Sequence, residues 1–284
     1  MLLAQILVNG VLLGGLYGLM ALGMALVWGV LNIVNLAHGA FIMLGGYVVY
    51  FLFVAGIDPF AALPVAMVAL FVLGYAVQRG FLNFIVRSAL LNTLLFTFGL
   101  DIVLTYLAQL LFSADYRTIN PDYAGANVTI AGVTIPLARL AAFAVALLLA
   151  GLLALLLRRT RLGRAIRATA QNLTAARLYG IDPRQIYAIT FGIGAALAGA
   201  AGGLYGMVAQ ITPYIGATLT AKSFVIAIIG GLENPLYVIA GGIVIGLAEA
   251  LAALYLGPTW SDVISFGLLV LILVARPVRS LKLA

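Results

Sequence analysis

Three ionisable residues stand inside long apolar runs of this sequence: Asp101, Lys222 and Glu249. A charged group at bilayer depth costs about 2.5–3.5 kcal/mol on insertion scales, so each needs a partner or a wet path. They can line a route for a polar solute. Equally, Lys222 can form a structural pair with Glu249 or Asp101. The single histidine, His38, lies in LNIVNLAHG with Asn32 and Asn35. These three can line the same route, or His38 can be a satisfied interior histidine. No catalytic or metal-binding set accompanies them. The chain has no cysteine and one histidine, and nothing matches H-E-x-x-H, a Ser-His-Asp set or paired carboxylates on one segment. GATLTAKS at 216–223 mimics a phosphate loop, but Ala221 replaces the glycine that lets backbone wrap phosphate. The chain is expected to bind neither ATP nor another cofactor, and not to be an enzyme.

The elements that must position these residues are membrane helices. Of 284 residues, 65% are hydrophobic and 8% charged, against about 25% charged in soluble domains. Several apolar runs reach the roughly 18–20 residues of a spanning helix, and the alternation of a β-barrel is missing. The expected fold is an all-α polytopic membrane protein with eight or nine transmembrane or re-entrant helices. Residues 2–30 carry no charge and read as a retained span, with Gly14 and Gly18 forming a GxxxG step. Residues 32–39 read as a broken or re-entrant helix, or as a short turn. Further spans are expected at 41–55, 60–77, 88–112, 137–157, 186–209, 217–232, 237–256 and 261–275. Residues 78–87 read as a loop carrying Arg79 and Arg87. In the 113–136 loop, NVTIAGVTIP reads as a β-hairpin around Ala131-Gly132. Asp182, Pro183 and Gln185 read as N-cap, N1 and capping box of the following helix. GGLYG occurs at 14–18 and again at 202–206, which raises an inverted repeat.

Residues 158–185 divide the chain. They hold seven arginines and one aspartate, nearly the whole formal excess of +7. With Arg79, Arg87, Arg276, Arg279 and Lys282 they place 12 of the 15 basic residues on one side. Flanking Lys and Arg bias a loop inward, so this side is expected to be cytoplasmic. That orientation also explains the basic balance without nucleic acid. The expected organisation is a helical half at 1–157, a cytoplasmic loop at 158–185 and a second half at 186–284, forming one membrane domain. Within the loop, Ile166, Ala170 and Leu173 share one helical face. Leu178 and Tyr179 add apolar contact before Gly180, a C-cap residue, and Arg164 and Arg167 flank the face. Such a helix can dock on a partner protein or lie on anionic lipid.

NLAHGAFIMLGGY at 35–47, LGRAIRATAQNLTAARLYGI at 162–181 and PYIGATLTAKSFVIAIIGGLENPLYVIAGGIVIGLAEAL at 213–251 resemble the branched-chain amino-acid ABC transporter permeases, in their smaller, LivH-type form. Glu233 departs from the small uncharged residue often found there. The resemblance implies an importer subunit of the bacterial inner membrane, carrying branched-chain or related amino acids. It implies a second permease chain, two cytoplasmic ATPases and a solute-binding protein as partners. It places coupling to the ATPase on residues 163–180, through Arg164, Arg167, Asn172, Leu178, Tyr179 and Gly180. Two other readings stay open on the residues alone. One is a secondary transporter with Asp101 or Glu249 as its proton site, and the other an intramembrane enzyme centred on His38 and Asp101.

Overall fold

The computed structural model describes residues 2–86, 90–130, 132–232 and 234–275. Arg87, Ala131, Glu233, Arg276, Arg279 and Lys282 lie outside the described residues. The elements run α1 (Leu2–Leu31), α2 (His38–Val54), α3 (Pro59–Val77), a π turn (Gln78–Leu82), α4 (Asn83–Ile85) and α5 (Leu90–Phe112). A 3-10 turn (Asp122–Gly125) and the strands β1 (Asn127–Ile130) and β2 (Val133–Pro136) follow. Then come α6 (Leu137–Arg159), α7 (Arg161–Gln171), α8 (Leu173–Leu178), α9 (Pro183–Gly206), α10 (Ile215–Gly230), α11 (Pro235–Tyr255) and α12 (Trp260–Ala275).

Six of these helices, counting α3 with its extension to Ile85, are long and apolar enough to cross a membrane. The apolar α2, α10 and α12 are shorter, at 17, 16 and 16 residues. The chain is therefore an all-α, multi-pass integral membrane protein, with one small antiparallel hairpin at the end of the bundle. The hairpin pairs Asn127 with Pro136 and Ile130 with Val133, as the alternation predicts.

Local chemistry explains the helix starts. Asp58, Asp182 and Asn234 each accept a hydrogen bond from the backbone N–H two residues on, and each is followed by proline at N1. These side chains satisfy N–H groups that a helix leaves unpaired. The capping box at Gln185 does not form among the described hydrogen bonds; Asp182 bonds Arg184 N alone, at 3.0 Å. A second expectation also fails. Residues 78–85 are helical rather than a loop. Gln78 is buried and donates to Asn83 Oδ1 at 3.1 Å, and Asn83 donates to Arg184 O at 3.2 Å. These polar side chains hold the end of the helix against the start of α9.

The bundle is built around α1 and α9, whose central windows are 89% and 83% buried, against 11% for α5. α1 packs against α9, α10 and α11, while α9 packs against α1, α2 and α3. α2 touches α10, α2 touches α5, and α10 touches α12. Every one of these contacts maps onto another when α1, α2, α3 and α5 exchange with α9, α10, α11 and α12. The α1–α11 contact is antiparallel, with Gly10 facing Ala250, Gly14 facing Gly242 and Gly18 facing Ile239. The α9–α3 contact is antiparallel too, with Gly192 facing Phe71, Gly199 facing Ala66 and Gly203 facing Leu63. This is the contact pattern of a two-fold repeat, and the order of crossings makes it inverted. GGLYG does not carry it, however. Its first copy lies mid-way along α1 and its second in the last turns of α9. The repeat also interlocks the halves, because α1 packs on α11 and α9 on α3.

Candidate functional site

The connector between α1 and α2 is non-helical from Asn32 to Ala37. His38, the first residue of α2, contacts Met20 O through Nε2 at 2.8 Å. α1 continues eleven residues beyond Met20, roughly 16 Å at the helical rise. The connector therefore turns back along the bundle and α2 starts at depth. The broken-helix reading of this stretch holds, and the plain turn does not. Backbone of this kind is tolerated inside a membrane only when protein satisfies it. Thr220 does so: it donates to Leu36 O at 3.2 Å while accepting from Gly39 N at 2.7 Å. The Thr97 hydroxyl, 3.0 Å from Thr93 O within α5, lies 3.4 Å from Val34 O. A methyl group on Gly39 would overlap the Gly216 carbonyl, so the first turns of α2 and α10 meet backbone to backbone.

The sequence candidates in this stretch serve the turn itself. Asn35 is buried and accepts from Ala37 N at 3.1 Å. His38 is buried against Met20 and Gly23. Asn32 is exposed and takes a left-handed φ of 54°, a conformation asparagine tolerates better than most residues. The interior-histidine reading of His38 is the one its contacts match.

Lys222 and Glu249 form the expected pair, with Nζ 2.9 Å from Oε1. Lys222 also reaches Tyr17 Oη at 3.4 Å, and Ser265 donates to Glu249 Oε1 at 2.6 Å. One cluster thus ties α1, α10, α11 and α12. Asp101 is not part of it. It sits half-buried on α5, and its Oδ1 is shielded without a hydrogen-bond partner among the described residues.

Asp101 belongs instead to a seam between α2 and α5. Thr93, Thr97, Asp101 and Ala108 recur at helical spacing on one side of α5, and Thr93, Thr97 and Ala108 are buried there. Towards the hairpin end, Phe112 stacks on Tyr47 of α2, with centroids 4.8 Å apart. Tyr47 Oη and Gln109 Oε1 are shielded and lack hydrogen-bond partners among the described residues. A groove opens here, lined by Phe51, Tyr106, Gln109, Leu110, Phe112 and Arg117. The sequence reading missed this constellation. Its signal is the four-residue recurrence of Thr93, Thr97 and Asp101.

At the opposite end, the basic loop folds as two helices, α7 and α8, broken at Asn172. Thr160 and Asn172 cap them, accepting from Gly163 N at 2.9 Å and Ala175 N at 2.9 Å. Gly180, at φ 77°, closes α8, with its N–H to Arg177 O and Ile181 N–H to Ala176 O. That pairing is a Schellman motif. The expected docking face needs one correction. Ile166 is buried, Ala170 and Leu173 are half-buried, and α7 packs against α1, α6 and α9. This face anchors the loop to the bundle because apolar side chains gain more from burial there than from water. What remains outward is Arg164, Arg167, Asn172 and Gly180, with Leu178 84% and Tyr179 88% exposed.

Comparison with known proteins fits this geometry. Residues 6–273 match the family described as branched-chain amino acid transport system, permease component. The chain is 34% identical to the high-affinity branched-chain amino acid transport system permease protein BraD of Pseudomonas aeruginosa, over 96% of this chain and 94% of that one. It is 33% identical to the permease protein LivH of Escherichia coli, over 96% and 93%. It is also 29% identical to LivM of the same organism, over 92% of this chain and 67% of that one. No solved structure matches the chain.

Proposed function

The chain belongs to the branched-chain amino acid transport permease family, and from that premise we propose that it forms half of the translocation path of an ATP-driven importer for branched-chain or related amino acids. It is a transporter subunit and not an enzyme. Its partners are a second permease chain, two cytoplasmic ATPases and a solute-binding protein, and the assembly lies in the bacterial inner membrane. The resemblance of this chain to both LivH and LivM supports a partner permease that is a distant relative rather than a copy. Solute passes along the α2–α5 seam, beside Asp101 and Gln109. Asn35, His38, Lys222 and Glu249 hold the frame around it.

The observation that carries this reading is the basic loop. It is clamped to the bundle on one face and offers Arg164, Arg167, Leu178 and Tyr179 on the other. A domain closing against Leu178 and Tyr179 would push on a rigid body, and α7 would deliver that push to α1 and α9. The basic residues beside them suit an acidic groove on an ATPase. Replacing Arg164, Arg167 and Leu178 together is expected to abolish ATP-driven uptake in proteoliposomes while the purified chain remains folded. Normal assembly and uptake in that variant would remove the coupling role.

A further inference from the structure

We propose that the groove at the hairpin end of the α2–α5 seam binds a free zwitterionic amino acid with an apolar side chain, its α-carboxylate on Arg117 and its α-ammonium on Asp115. The inference rests on the seam being the solute path and names a recognition site along it.

Arg117 is fixed rather than splayed. Its peptide pairs with Ile211 in both directions, at 2.9 and 2.8 Å. Nη1 donates to Tyr50 Oη at 3.3 Å, and Nη2 to Phe112 O and Ser113 Oγ at 3.1 and 3.3 Å. The guanidinium also lies over the Tyr50 ring, 5.4 Å from its centre. A guanidinium has five N–H donors, so these bonds leave two, one of them on Nε. That Nε is shielded and makes no hydrogen bond among the described residues. Tyr47 Oη and Gln109 Oε1 share this condition at the same end of the seam. Buried polar atoms are hydrogen-bonded in the great majority of cases. Arg117 and Gln109 line the groove and Tyr47 stacks on its Phe112, so a polar group that enters there has these unpartnered atoms to meet.

The charges select which group. Asp115 Oδ2 lies 3.8 Å from Arg117 Nη2 and accepts from Ser113 Oγ at 2.6 Å. Ser113 holds this arrangement with a left-handed φ of 64°, a strained conformation that persists where its surroundings impose it. A simple anion would meet Arg117 but be repelled by Asp115, and a simple cation the reverse. A zwitterion satisfies both, since its two charged groups sit on one carbon. A carboxylate on guanidinium gains charge-assisted hydrogen bonds. Phe51, Leu110 and Phe112 supply the wall for an aliphatic side chain.

The test uses the assembled importer, permeases with ATPases, purified without its solute-binding protein. Binding of radiolabelled leucine is measured by equilibrium dialysis, with competition by 3-methylbutylamine, which lacks the carboxylate, and 4-methylpentanoate, which lacks the ammonium. Saturable leucine binding is expected, with both competitors at least ten-fold weaker. R117A should weaken leucine at least ten-fold, and R117K should recover part of the loss. D115N should narrow the gap between leucine and 4-methylpentanoate. Equal affinity of the wild type for leucine and the amine would overturn the site, as would R117A binding leucine unchanged. If R117A does not assemble, R117K and D115N decide, and leucine binding and selectivity unchanged in both would overturn the site. ATP-driven leucine uptake by the wild-type complex with its binding protein is measured in parallel. Its absence would sink the transport reading, and the site would still stand or fall by the competition series.

Discussion

The buried charges of this molecule live in two neighbourhoods that handle them differently. Around Lys222 and Glu249, each charge meets an opposite charge, a hydroxyl or a ring, and four helices share the cluster. Along the α2–α5 seam, Asp101, Gln109, Tyr47 and Arg117 each retain a shielded polar atom without a partner. Asp101 and Gln109 are half-buried and the Arg117 side chain is 28% exposed, so the cost of burial is smaller for them than for the pair. A satisfied cluster fixes an arrangement; an unsatisfied one leaves polar atoms that a water or a solute can meet. Hence these groups divide into a satisfied cluster and an unsatisfied seam, a division their types alone do not give.

That contrast can be broken by experiment. The largest effect is expected at the ion pair. Lys222→Met alone strands a buried carboxylate and should cost about 3–5 kcal/mol, whereas Lys222→Met with Glu249→Leu should recover most of it. Thermal unfolding of the purified protein measures both. A neutral single variant would move the pair from frame to path. Next comes Thr220→Val, which removes the hydroxyl serving both Gly39 N and Leu36 O. It should destabilise by about 1–3 kcal/mol in the same assay, with unfolding beginning at the α1–α2 connector by hydrogen exchange. The smallest stability change is expected at Asp101→Asn, within about 0.5 kcal/mol. Uptake by that variant should nevertheless fall several-fold, since the residue faces the seam. A large loss of stability with normal uptake would place Asp101 in the frame after all.

Much of this was readable in the residues. Helical spans, hairpin and proline-led helix starts follow from local patterns, which short-range chemistry dictates, and the Lys222–Glu249 option followed from the cost of an unpaired charge in an apolar run. The failures share a cause as well. Ile166 and Ala170 lie on one face of α7, but the break at Asn172 puts Leu173 on α8, and which body covers the α7 face is a matter of tertiary packing. Residues 78–85 looked like a polar loop, because the bonds from Gln78 to Asn83 and from Asn83 to Arg184 cannot be foreseen from composition. The repeat was suspected from GGLYG, whose copies fall at unequal positions. A truer trace was available in Asp58-Pro59 and Asn234-Pro235, which open the corresponding helices α3 and α11. The groove at Arg117 was invisible because it joins α2, α5 and a loop that only the fold brings together.

The abutment of Gly39 and Gly216 constrains how such a bundle can change shape. With no side chain between the two backbones, the crossing is already at its closest approach and cannot be compressed. Any relative motion of the two helices would therefore have to be rotation about that point, with Gly230 at the far end of α10 moving most. The molecule is in this respect a pair of scissors whose rivet is two hydrogens wide.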